Sequence, residues 1–319
     1  MSSTSNESVS TPVPSAAAPR TMTAPKTGWS WRSLAGWSLG IFCFIVFAIL
    51  LIGSQQALNF DQIKELVFSI EFLGFVLCGF AAQMIDGALG LGYGLTCTTA
   101  LLGFGVPPAM VSSSIHTAEV FATGISGYSH YRFGNVNKRL AKALLWPALA
   151  GAVAGSLLLV VAARSYAEWT SLVLGVYCLL LAVRILHKAM QHSVEKKKVR
   201  HLSRLAAAGG FLDAFGGGGW GPLVTSTLIS NGRSPRFVIG TVSLVEFFIT
   251  LATALTFLAT LGVTHWHIIL GLIAGSAVAA PIAARLAGKL PRRAGLMLVG
   301  SLVMVWSIYL IFRKLMILL

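Results

Sequence analysis

Charge is scarce in this chain. Asp, Glu, Lys and Arg make up 11% of its 319 residues, whereas a soluble domain carries about 25%. So few charges cannot cover a surface in water, which excludes a water-soluble globular protein. With 55% of the residues apolar, a disordered chain is excluded too. Acids are rarer than bases, 10 against 24 Lys and Arg, for a formal charge of +14. In a soluble protein that excess would suggest nucleic acid. At a mean hydropathy of +0.78 it indicates basic loops on the cytoplasmic side of a membrane, and no nucleic-acid partner is expected. Cysteine is limited to Cys43, Cys78, Cys97 and Cys178, each inside an apolar stretch. Their spacing fits neither a disulfide framework nor a metal centre. No nucleotide-binding motif occurs, so no cofactor and no ATP coupling are expected.

Long apolar runs are abundant. Residues 1–30 are rich in Ser, Thr, Pro and Ala and read as a disordered cytoplasmic tail. Residues 31–56 contain an apolar run long enough to span a bilayer, so an extra N-terminal transmembrane helix is expected rather than a cleaved signal. Ten more apolar segments follow between Leu66 and Phe312. Three are too short to cross ~30 Å of hydrocarbon, and all three flank glycine-rich stretches. Short, glycine-interrupted segments are how discontinuous transporter helices look in sequence. The fold class expected is an all-α polytopic membrane protein.

The chain also repeats itself without gaps at an offset of 127 residues. Asp86 aligns with Asp213, Gly90 with Gly217, Gly92 with Gly219 and Gly94 with Gly221. Thr98 meets Thr225, Gly105 meets Gly232, Pro108 meets Pro235 and Glu119 meets Glu246. Charge indicates that the copies are inverted. With a cytoplasmic tail, 20 of the 24 Lys and Arg fall in inner loops. The Gly105–Pro108 turn then has no base and lies outside, whereas the Gly232–Pro235 turn carries Arg233 and Arg236 and lies inside. The expected layout is repeat 1 over residues 66–187, a basic cytoplasmic linker over 188–204, and an inverted repeat 2 over 205–319. Each repeat has about five helical segments with a glycine-rich break. Arg313 and Lys314 are the exception, a small basic cluster at an outer end, where long side chains can snorkel.

The paired stretches Asp86-Gly-Ala-Leu-Gly-Leu-Gly-Tyr-Gly94 and Asp213-Ala-Phe-Gly-Gly-Gly-Gly-Trp-Gly-Pro222, each followed by a Gly…Pro turn, resemble the sulfite exporter TauE/SafE family. Phe133-Gly-Asn-Val136 resembles it as well. The resemblance runs from about Phe72 to the C-terminus. It implies a multi-pass carrier of sulfur-containing or other organic anions in the cytoplasmic membrane, with a small anion and the bilayer as partners. It leaves a homo-oligomer open.

Several residues could carry the chemistry. Asp86, Glu119, Asp213 and Glu246 lie in apolar segments, where a carboxylate costs at least ~2.5 kcal/mol. One reading makes them proton or cation carriers at a midplane site. In the other, Asp86 and Asp213 cap helix breaks. The glycines let backbone N–H groups approach a ligand. Half-helices beginning near Gly92 and Gly221 would aim their positive ends at an anion. Thr96, Thr98, Thr225 and Ser226 add hydroxyls nearby. Gly151 and Gly155, like Gly271 and Gly275, have a helix-packing spacing instead. His116 shares a helical face with Glu119, as relay or as structural partner. The function expected is a secondary transporter for an organosulfonate, sulfite or related oxyanion. An anion channel on the same scaffold and an intramembrane aspartyl protease are the alternatives.

Overall fold

The computed structural model describes residues 69–89, 92–190, 199, 201–262, 266–286 and 292–318. The N-terminal tail, the extra N-terminal span, Gly90 and most of the basic linker lie outside the described residues. The elements are α1 (Ile70–Leu89), α2 (Tyr93–Gly103), α3 (Pro108–Arg132), α4 (Lys138–Ser165) and α5 (Ala167–Met190). They continue with α6 (Leu202–Gly216), a π-turn (Gly221–Thr225), α7 (Ser226–Ser230), α8 (Pro235–Leu261), α9 (Trp266–Leu286) and α10 (Arg292–Leu318). The chain is an all-α polytopic membrane protein. Lys138–Ser165, Ala167–Met190, Pro235–Leu261 and Arg293–Ile317 are long and apolar enough to cross a bilayer. Their unpacked faces are apolar, with Trp146, Leu158, Val161 and Leu180 exposed for lipid.

Local sequence sets the helix ends. Asn137 caps α4 by accepting from the Leu140 N–H at 3.1 Å, which contributes about 1 kcal/mol. Pro235 fills the first turn of α8, where no N–H partner is needed. The ends of α2 and α7 match closely. Gly105 and Gly232, 127 residues apart, both take a left-handed conformation, at φ +87° and +79°. Val106 N–H bonds to Leu101 O at 3.0 Å, and Arg233 N–H to Leu228 O at 3.3 Å. These are the same closing bond at the same offset.

Packing interleaves the two halves of the chain. The most extensive pairs are α1 with α9, α4 with α6, α5 with α10 and α3 with α8. Each joins one element before the linker to one after it. Three of these pairs bring backbones together, α3 with α8 through Gly127, whose Cβ would meet the Leu244 backbone. A Cβ at Gly151 or Gly155 of α4 would strike the carbonyls of Ala207 and Phe211 on α6. A Cβ at Gly271 or Gly275 of α9 would strike Phe75 and the Val76 carbonyl on α1. The glycines in all three pairs therefore serve close helix contact.

Candidate transport site at the crossing of two glycine loops

α2 starts abruptly. Gly92 is its cap residue, at φ +112°, a value that L side chains avoid. α6 ends at Gly216, and Gly217 turns the chain at φ +67°. The π-turn and α7 then carry it back, so Gly221–Ser230 forms a short second half-helix with Pro222 in its first turn. The two breaks meet in the interior. A Cβ at Gly94 would collide with the Gly217 carbonyl, and one at Gly218 with the Leu95 N–H. Thr98 Oγ1 donates to Gly217 O at 2.9 Å across the crossing. Only glycine permits backbones to cross this closely.

Asp213 organises the second break. Its Oδ1 accepts from the Gly219 N–H at 2.7 Å and the Trp220 N–H at 2.9 Å. Its Oδ2 lies 3.3 Å from His116 Nε2. The other ring nitrogen, Nδ1, is 2.8 Å from the Ser112 carbonyl oxygen. A carbonyl can only accept, so Nδ1 carries a proton. Nε2 therefore contacts Oδ2 through a proton shared between the ring and the carboxyl: the pair is imidazolium–carboxylate or imidazole–carboxylic acid. Ser112 Oγ donates to Ala214 O at 2.6 Å, which pins α3 to α6 beside this link.

Glu119 lies one turn beyond His116 and is 7% exposed, while Glu246 and Asp86 are half-buried. Glu119 and Glu246 face each other's charge and those of Asp86 and Asp213. Among the described residues, His116 is the basic side chain hydrogen-bonded to this group. The Tyr93 N–H faces Asp86 as the Trp220 N–H faces Asp213.

The hydroxyls divide. Thr96 Oγ1 is buried without a hydrogen-bond partner, aligned with the start of α2. Thr98 is spent on Gly217 O, and Ser226 Oγ donates to the Pro222 carbonyl within its own turn. Thr225 is buried at 3% exposure. Gly92, Gly94, Gly217, Gly219 and Gly221 all lie at the two breaks.

Sequence reasoning missed Tyr177 of α5. Its hydroxyl donates to Gly218 O at 3.1 Å, and its ring occupies the space that side chains at Gly216 and Gly219 would fill. A tyrosine in an apolar helix gives no local sign of this role. Ser112 could have been found, one helical turn before His116. Trp220 and Tyr93 are packing residues: Trp220 is fully buried with Nε1 donating to Val242 O, and Tyr93 Oη lies 3.0 Å from Ser276 Oγ.

The profile described as sulfite exporter TauE/SafE matches residues 75–310. The chain belongs to this family. It is also similar to "Probable membrane transporter protein YtnM" of Bacillus subtilis (strain 168), at 41% identity over 247 residues, covering 74% of this chain and 81% of that protein. No solved structure matches. The fold and these matches make the TauE/SafE chain described here a multi-pass membrane transporter.

Proposed function

We propose that the chain is a secondary transporter of a small anion, an organosulfonate, sulfite or related sulfur oxyanion, coupled to protons or to the membrane potential. The observation that carries this reading is the crossing of the two breaks at Gly94 and Gly217–Gly218, beside four buried or half-buried carboxyls. The unpartnered Thr96 hydroxyl suits an anion. The carboxyls do not, while charged. Two like charges ~6 Å apart repel by roughly 3 kcal/mol at an effective dielectric of ~20. Protonated, the same groups become donors. An anion site ringed by acids therefore takes up protons as it takes up the anion.

In this reading Glu119 and Glu246 exchange the coupling protons, with Asp86 beside them. The His116–Asp213 link holds the second break in shape and shares one proton. Residues 66–187 and 205–319 act as inverted copies about an axis in the membrane plane, so the site opens to each side in turn. The N-terminus is cytoplasmic and the membrane is the inner one, as the distribution of Lys and Arg supports. The relative's printed name, a membrane transporter, and the family's description as a sulfite exporter favour the same class.

The test is flux by the purified protein in liposomes with sulfite, thiosulfate, taurine and sulfoacetate. Glu119→Gln, Glu246→Gln and bulky replacements at Gly92 and Gly219 should each impair it. Normal flux in all four variants would remove the mechanism, and saturable counterflow would separate a carrier from a channel.

A further inference from the structure

The two breaks are not alike. At the repeat offset of 127 residues, Gln83 falls opposite Gly210, Thr96 opposite Leu223 and His116 opposite Ser243. Asp213 thus has an imidazole, whereas the matching position for Asp86 is a serine. The second break is closed on itself. Asp213 accepts from the Gly219 and Trp220 amides and contacts His116, while Thr98 donates to Gly217 O and Tyr177 to Gly218 O. Gly210 is packed as well, since a Cβ there would strike the Ala148 carbonyl.

The first break keeps polar groups unused. Gln83 is 8% exposed and Thr96 5%, so neither faces lipid. Gln83 Oε1 and Thr96 Oγ1 are nonetheless buried with no hydrogen-bond partner among the described residues. Burying a polar group without a partner is costly, and a ligand that completes its bonds removes the cost. Tyr93 fixes where both groups lie. Gly79, Gln83 and Asp86 recur at i, i+4 and i+7, on one face of α1. At one end of this stretch, Ser276 Oγ lies 3.3 Å from Gly79 O and 3.0 Å from Tyr93 Oη. At the other end, the Tyr93 N–H faces the Asp86 carboxyl. Gln83 lies between these two contacts and so faces the opening turn of α2. Thr96 follows Tyr93 by three residues, on the same side of that turn. The other buried hydroxyls without a partner, Ser114, Thr253 and Ser307, lie inside long helices, away from either break.

We propose that Gln83 and Thr96 bind the oxyanion head of the substrate at the first break, while the second break is the scaffold against which it is held. The assignment rests on the transport reading above and gives its site a place and two ligands. A half-turn of the Gln83 carboxamide exchanges its oxygen and its NH2. It then offers two N–H donors, and Thr96 an O–H, to an anion with several acceptor oxygens. These donors are neutral, so they add no fixed charge that would trap the anion. Asp86, one turn from Gln83, repels the anion once it is charged.

The experiment compares wild type, Gln83→Leu, Thr96→Val and Thr99→Val as full chains. Flux is measured in liposomes and anion-induced thermal shift in detergent, with sulfite, thiosulfate, taurine and sulfoacetate. Thr99 is the control: it lies on the same helix, but its hydroxyl faces the Leu95 and Thr96 carbonyls of α2 itself. Gln83→Leu should raise KM and apparent Kd by roughly tenfold or more, as expected for a lost bond to a charged ligand. Thr96→Val should raise both by roughly fivefold. Thr99→Val should leave both within about twofold, because its bonds are local. Without anion, the Tm of Gln83→Leu and Thr96→Val should hold or rise, since an apolar group replaces a buried polar one that had no partner. A structural role predicts the reverse, a lower Tm with unchanged KM, and that result overturns the assignment. So does a KM rise in Thr99→Val equal to that in Gln83→Leu. If wild type carries none of the four anions and none shifts its Tm, the transport reading fails instead.

Discussion

Thr123 Oγ1 and Thr250 Oγ1 lie 3.3 Å apart in the interior, and the two residues are separated by the repeat offset, 127 positions. Two stretches related by an axis in the membrane plane, as proposed above, would meet in such a contact. Each hydroxyl also faces a backbone carbonyl of its own helix, Glu119 O for Thr123 and Phe247 O for Thr250. The acids Glu119 and Glu246 sit one turn earlier on the same helices.

The glycine crossing should tolerate no side chain. Gly94→Ala places a methyl against the Gly217 carbonyl, and overpacking of this kind costs about 1–3 kcal/mol. A lower Tm in detergent and a loss of flux are expected. Gly74→Ala is the control, since nothing lies within 4 Å of its Cβ. In a helix that change should be neutral or stabilising by up to about 1 kcal/mol.

Asp213→Ala and Asp213→Asn should part company. Alanine leaves the Gly219 and Trp220 amides without their acceptor. Each buried orphan costs about 1–3 kcal/mol, so the fold itself should weaken. Asparagine keeps an acceptor for the amides and can donate to His116 Nε2, but it cannot share a proton. Near-normal thermal stability with loss of pH-gradient-driven flux is the expected outcome for Asn. Equal destabilisation by both changes would contradict it.

Coupling to protons has a definite sign. If one proton is taken up with each anion, apparent affinity at the loading side rises up to about tenfold for each pH unit of acidification, over the range where the carboxyls are charged when the site is empty. Titrating anion binding between pH 5 and 8 by a thermal-shift assay would measure the slope. Glu119→Gln should flatten it, because glutamine is already neutral and cannot exchange a proton.

The two cations at the C-terminal end should differ in weight. Arg313 donates to the Gly103 carbonyl at the end of α2, whereas Lys314 pairs with the exposed Glu168. Arg313→Ala should cost about 1–2 kcal/mol, as expected for a charge-assisted bond to a helix end. Lys314→Ala should stay within about 1 kcal/mol, as exposed pairs do. Chemical or thermal unfolding in detergent distinguishes them.

Much of this architecture is written in local pattern. Apolar length identified the spanning helices, because a bilayer imposes about 20 residues per crossing. Glycine, proline and acid recurring at a constant offset marked the breaks at Gly92 and Gly217, because few residue types can end a helix in the interior. The family resemblance rests on those same residues. What touches what across the breaks was not written there. His116 and Asp213 are 97 residues apart and Tyr177 and Gly218 are 41 apart. Such contacts depend on which helices pack together, and helix pairing in a membrane turns on the shape of small residues rather than on a periodic signal. Sequence alone determined that the chain spans the membrane and carries two copies of one broken-helix unit. Only the tertiary structure decided that those copies interleave, because the backbone contacts of Gly151, Gly155, Gly271 and Gly275 select partners from the opposite half.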